Sequence, residues 1–138
     1  MRRALLLLLP LVASACSGDD VEMKPPEGPP PPPTYTIDIT NQSFTNPQVA
    51  IVVRIDGAEV VDQPFAVKDQ HNVISFSFDL TEGAHLVEVE ADNGAVAEAK
   101  VQIPADAARY SAISHWGPDG DGPARLDITT QDEPFFYE

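Results

Sequence analysis

The chain has very little cysteine, little positive charge and no long hydrophobic run. Cys16 is the single cysteine among 138 residues, so no disulfide can close within the chain and any fold must rest on burial. Lys and Arg together number 8 against 22 Asp and Glu, a formal charge of −14. Such a surface repels phosphate backbones and anionic headgroups, which argues against nucleic acid as a partner and leaves basic proteins and cations open. The longest apolar run, residues 4–12, is far short of the ~20 residues that cross a hydrocarbon core as a helix, and Pro10 interrupts it. No segment shows a sustained 3.6-residue apolar period. A nucleophile elbow, a Ser-His-Asp or Cys-His arrangement and paired carboxylates in a pocket-forming loop are also missing. The expectation is a non-enzymatic protein that uses no cofactor.

What is present begins with "MRRALLLLLPLVASAC": Arg2 and Arg3 form a charged start, residues 4–12 an apolar stretch, and Ala13-Ser14-Ala15 a small-residue cleavage site. These features predict an export signal over residues 1–15. The segment ending in Cys16 resembles the lipobox of bacterial lipoproteins, in which the cysteine becomes the lipidated first residue of the mature chain. The resemblance implies that Cys16 is a membrane anchor and that the protein resides in a bacterial cell envelope. Ser17 follows, whereas an aspartate there commonly signals inner-membrane retention, so the outer membrane is implied for a Gram-negative cell. Ala13-Ser14-Ala15 also satisfies the ordinary A-x-A rule, and cutting the same bond without lipidation would leave a secreted chain with a free thiol. Without residues 1–15 the balance is 6 basic against 22 acidic residues, or 6 − 22 = −16.

Residues 16–34 carry Cys16 and then a Pro- and Gly-rich stretch with too few apolar side chains to fold alone. Pro29 to Pro33 favour a polyproline II rod, which makes this segment a stiff tether. From residue 35 to 138 short alternating runs of Val, Ile, Phe and Thr are separated by turn dipeptides, which predicts one all-β domain. Strands are expected at 35–41, 49–56, 59–62, 72–80, 85–91, 95–103, 109–116 and 124–130. In "VAIVVRID" Val49, Ile51, Val53 and Ile55 share one face; in "NVISFSFDL" Ile74, Phe76, Phe78 and Leu80 do. Asp56-Gly57 and Asn93-Gly94 predict type I′ turns, and with "LTEGAH" they lead to the expectation that the second to sixth strands run as successive antiparallel hairpins.

The stretch "DLTEGAHLVEVEADNGAVAEAKVQI", Asp79 to Ile103, resembles the late hairpin of bacterial immunoglobulin-like domains, with its E-G-x-H connection, alternating valines and D-x-G turn. The resemblance implies an immunoglobulin-like antiparallel β-sandwich of about 7–8 strands. Such sandwiches serve as stalks, adhesins and enzyme appendages, so it implies little about activity.

Several side chains invite a functional reading. His71, His85 and His115 are possible metal ligands, but on successive hairpin strands His71 and His85 would lie roughly 25 Å apart at ~3.3 Å per residue, too far to share an ion. His85 is expected instead as a hydrogen-bonded histidine at the sandwich rim. Asp119 and Asp121 flank Gly120 in a loop that could meet calcium, yet Pro123 and Thr130 stand where an EF-hand loop needs further ligands, so a solvated turn is the simpler reading. Tyr110 and Trp116 fall on one strand face with Ala112 and Ser114 between them, either as core or as a flat platform for sugar rings. Phe135, Phe136 and Tyr137 are either a docked chain end, with Phe135 or Phe136 buried, or an aromatic contact for a partner. The expected role is a lipid-anchored scaffold or module that binds an envelope protein. The alternative is a carbohydrate-binding module.

Overall fold

The structure is a computed structural model that describes residues 28–67, 72–118 and 122–137. Residues 31–138 form one compact unit, and all strands lie within it. In chain order they are β1 (Tyr35–Asn41), β2 (Gln48–Ile55), β3 (Ala58–Ala66), β4 (Val73–Phe78), β5 (Gly83–Ala91), β6 (Val96–Ile103), β7 (Arg109–Trp116) and β8 (Arg125–Gln131). One sheet has the order β4-β1-β7-β8, the other β3-β2-β5-β6. Every pair is antiparallel except β1 with β7. The expected all-β sandwich is therefore observed, with eight strands.

Alternation decides which side chains fill the space between the sheets. Tyr35, Ile37 and Ile39 of β1 meet Val49, Ile51, Val53 and Ile55 of β2, joined by Phe65, Val87, Val89, Val101, Ile103 and Ile113. Each buried side chain of this kind contributes roughly 1.5–3 kcal/mol relative to exposure. Tyr35 is wholly buried and stays satisfied because its hydroxyl bonds Ser111 Oγ at 2.8 Å, which in turn meets Thr130 Oγ1 at 2.7 Å. Burial pushes the Tyr35 phenol up, partly offset by the Ser111 bond.

Chain order and strand order differ in both sheets. In one, β2 lies between β3 and β5, and β6 follows β5; in the other, β1 pairs with β4 on one side and in parallel with β7 on the other, and β8 closes the far edge.

Three expectations are corrected. The second to sixth strands are not successive hairpins: β2 with β3 and β5 with β6 are, whereas the chain changes sheet before and after β4. The "LTEGAH" segment makes no hairpin: it carries the chain from β4 in one sheet to β5 in the other, and the Thr34 hydroxyl meets it at Leu80. Thr34 Oγ1 donates to the Leu80 carbonyl at 3.0 Å and lies 2.7 Å from the Leu80 N–H. Asn93-Gly94 is not a type I′ turn. Gly94 alone has positive φ, at 87°, and its N–H donates to Ala91 O at 2.9 Å, so a type I turn is followed by a left-handed glycine. Asp56-Gly57 does have the expected form, with φ of 51° and 82°. Finally, β3 runs four residues past the expected 62, through Pro64. It is an edge strand with β2 on one side only, where a residue lacking an N–H is tolerated.

Candidate interaction surface

The alternation of β7 creates two unlike faces. Ser111, Ile113 and His115 point inward and are buried; Tyr110, Ala112, Ser114 and Trp116 point outward and are half-buried. The shared face expected for Tyr110 and Trp116 is thus present, and it is the outer surface of the sheet rather than the core. Neighbouring strands set what surrounds it. Arg125 of β8 is the register partner of Trp116, and its guanidinium carbon lies 5.0 Å from the indole centroid. This cation–π contact occupies a ring face that a sugar would need. Trp116 Nε1 is the one buried side-chain polar atom among the described residues that has no hydrogen-bond partner.

The chain end crosses this same face. Arg109 pairs with Asp132, and Gln131 Nε2 donates to the carbonyls of Glu133 at 2.9 Å and Pro134 at 3.4 Å. From the β8 edge the tail returns to β1, where the Tyr137 hydroxyl donates to Asp38 Oδ2 at 3.0 Å. Asp38 is aligned with Ala112, two residues from Tyr110 and four from Trp116 along β7. The tail therefore reaches the platform nearer Tyr110 than Trp116. Burial, then the Asp38 carboxylate, raise the Tyr137 phenol above its ordinary value. Phe135 is half-buried and stacks on Tyr137 with centroids 6.4 Å apart, whereas Phe136 is 87% exposed. Of the two phenylalanines, one of which was expected to be buried, Phe135 is half-buried and Phe136 faces solvent; Tyr137 is 51% exposed and is held through its hydroxyl.

A second polar cluster, which the sequence did not single out, sits at one end of the sandwich. His115 is wholly buried between two asparagines. Asn41 gives its amide hydrogens to Asn46 O at 2.8 Å and Phe65 O at 3.3 Å, so its Oδ1 accepts from Ser43 N–H at 3.0 Å and from His115 Nδ1 at 2.9 Å. The remaining nitrogen, Nε2, then accepts from Asn93 Nδ2 at 2.8 Å. This histidine is neutral, and burial holds its pKa below 6.5 against a smaller opposing effect of Asp92. His85 lies apart, at the rim as expected: Nδ1 meets Asp56 Oδ2 at 2.6 Å and Nε2 meets Thr81 O at 2.8 Å. The Asp56 bond, then the Thr81 bond, raise its pKa; the His85 bond and the Leu86 N–H lower that of Asp56.

The two histidines therefore carry opposite pH signatures. The His85 contribution to stability is complete below 6.5 and is lost as pH rises through its raised folded pKa. That of His115 is complete above 6.5 and is lost as pH falls toward its lowered folded value. A proton NMR titration of the imidazole resonances is expected to place His85 above and His115 below 6.5. Coincident titrations would show that the buried network does not form.

On the opposite sheet the outer faces of β2, β5 and β6 form an open depression of about 450 Å³ lined by Arg54, Glu88, Glu90, Val96 and Glu98. Arg54 pairs with Glu59 at 3.7 Å and Glu90 at 3.5 Å, while Glu88 directly opposes Glu98. Among the described residues no three metal-ligating side chains converge. Cys16, His71, Asp119 and Asp121 lie outside the described residues. No family model matches the chain, and no curated protein and no solved structure matches it.

Proposed function

We propose that this chain is an envelope lipoprotein, anchored through lipid on Cys16, whose β-sandwich serves as a non-enzymatic scaffold that binds another envelope protein. The observation that carries the reading is the chain end. Asp132 is held by Arg109 and Tyr137 by Asp38, so Phe136 between them is presented on an ordered segment while remaining 87% exposed. A large apolar side chain held outward at low entropic cost is the kind of anchor that protein interfaces use. Polysaccharide stacking on Trp116 has less support, because Arg125 lies over the indole and the tail reaches the same sheet face at Asp38.

The test is photo-crosslinking in the native host, with a photoreactive residue at position 136 and, for comparison, at exposed Gln102 on β6. One adduct of defined mass, formed from 136 and absent from 102, is expected. The unreacted chain in the same mass spectrum should start at Cys16 and carry acyl groups. Identical adduct patterns from both positions would remove the chain end as the contact; an unacylated chain would remove the anchor.

A further inference from the structure

We infer that β4 is a self-association edge and that the protein forms a two-fold dimer by pairing β4 with β4 of a second copy. An unpaired edge strand recruits other strands unless charge, proline or a bulge prevents it. Three of the four edges have such protection. β3 carries Glu59, Asp62, Pro64 and a bulge; β6 carries Glu98 and Lys100; β8 carries Arg125 and Asp127. β4, "VISFSF", carries none of these, and among the described residues it pairs with β1 on one side only.

The side chains of β4 are also left uncovered. Ile74, Phe76 and Phe78 have core parity, aligned with Ile39, Ile37 and Tyr35 of β1. Yet Ile74 is 38% exposed and the two phenylalanines are half-buried, because neither sheet extends beyond this side.

Parity selects the occupant. In an antiparallel pair directly opposed residues share a face, so a second β4 must join with even-numbered residues opposite even-numbered ones. A two-fold axis at Phe76 sets Phe76 against its copy, Ile74 against Phe78 and Ser75 against Ser77. Aromatic and β-branched pairs then lie on the core face, a combination that stabilises antiparallel sheets. The serines on the solvent face, whose hydroxyls bond Asp38 and Thr36 of β1, set neither charge nor bulk against the second copy. The two four-stranded sheets become one of eight strands ending in the charged β8 edges, so growth stops at the dimer. A strand from an unrelated protein would need its own neutral alternation, whereas the second copy has it by identity. Each chain carries a net charge of −14, so the copies repel at long range and salt should strengthen their association. This dimer does not require lipid on Cys16.

Sedimentation of the whole protein under reducing conditions, from low micromolar to near-millimolar concentration, tests the inference. A monomer–dimer equilibrium that tightens severalfold as salt is raised is expected. The Ser75→Lys/Ser77→Lys variant puts lysine opposite lysine at two exposed positions and should weaken the dimer at least tenfold, with the far-ultraviolet circular dichroism unchanged. Should that variant misfold, an equimolar mixture of Ser75→Cys and Ser77→Cys chains, each also Cys16→Ser, reads the register directly. Oxidation should link the two different chains far faster than either alone. A monomer at every concentration, a dimer unaffected by the lysines, or one that salt dissociates would each overturn the inference. So would β4 occupied by a different protein.

Discussion

Asn41→Ala is expected to lower stability by about 4 kcal/mol, a large part of the total for a domain of this size. The side chain is 1% exposed, and its hydrogen bonds include those to Ser43 N, His115 Nδ1, Asn46 O and Phe65 O. They join the end of β1 to β7 in its own sheet, to β3 in the other sheet and to the loop between β1 and β2. Alanine leaves two donors and two acceptors without their partner. Each buried group so stranded costs about 1–3 kcal/mol, and water entering at the open end of the sandwich recovers part of the sum. Thermal unfolding should shift down by roughly 20 °C, from ~4–8 °C per kcal/mol in small domains. Asn41→Ala and His115→Ala together should cost less than the sum of the two alone, since they share a bond. A loss under about 1 kcal/mol for Asn41→Ala would show that these bonds exchange freely with water.

Gly117→Ala is expected to cost about 3 kcal/mol, for a steric rather than a conformational reason. A Cβ built on Gly117 would sit 1.8 Å from Ser43 Oγ, 2.7 Å from Ser43 Cβ and 2.8 Å from Thr45 Oγ1. Rotating the serine hydroxyl away does not relieve the contact with its Cβ, which moves only with the backbone. That backbone is itself held: Ser43 N–H bonds Asn41 Oδ1, and Ser43 Oγ accepts from Asn46 N–H at 2.9 Å. The substitution therefore displaces the loop and strains the Asn41 network. Ser43→Gly removes both of the closest atoms, so the double variant should be more stable than Gly117→Ala alone. Chemical denaturation of the four chains measures this. Additive losses would show that the two residues do not meet.

Much of the fold is legible in particular stretches of sequence. The bounds of β1 and β7 agree to the residue with those expected: β1 alternates and gives way to polar Gln42, and β7 stops before Gly117-Pro118. Asp56-Gly57 specifies its own turn, since both residues tolerate positive φ. The true extent of β3 was hidden by Pro64, whose acceptability depends on lying at a sheet edge. The place of β4 was hidden because "LTEGAH" reads as a hairpin connection, whereas the partner of β4 is the distant β1.

The candidate surface was legible in residue type and obscure in arrangement. Parity put Tyr110 and Trp116 on one face, but parity alone does not distinguish the outside of a sheet from the inside; that depends on which face meets the second sheet. The return of the tail to Asp38 joins residues 99 apart, and the His115–Asn41 bond joins residues 74 apart. Neither leaves a local pattern in the chain.

By itself the sequence determined that this protein is all-β, where most strands lie and which side chains are able to fill a core, because those properties follow from backbone geometry and a two-residue period. Tertiary structure alone decided that β7 lies parallel to β1, that His115 is buried and neutral, that Arg125 covers Trp116, and that β4 is the unprotected edge. Each depends on which distant strands become neighbours, and pairing between distant segments is a property of the packed whole.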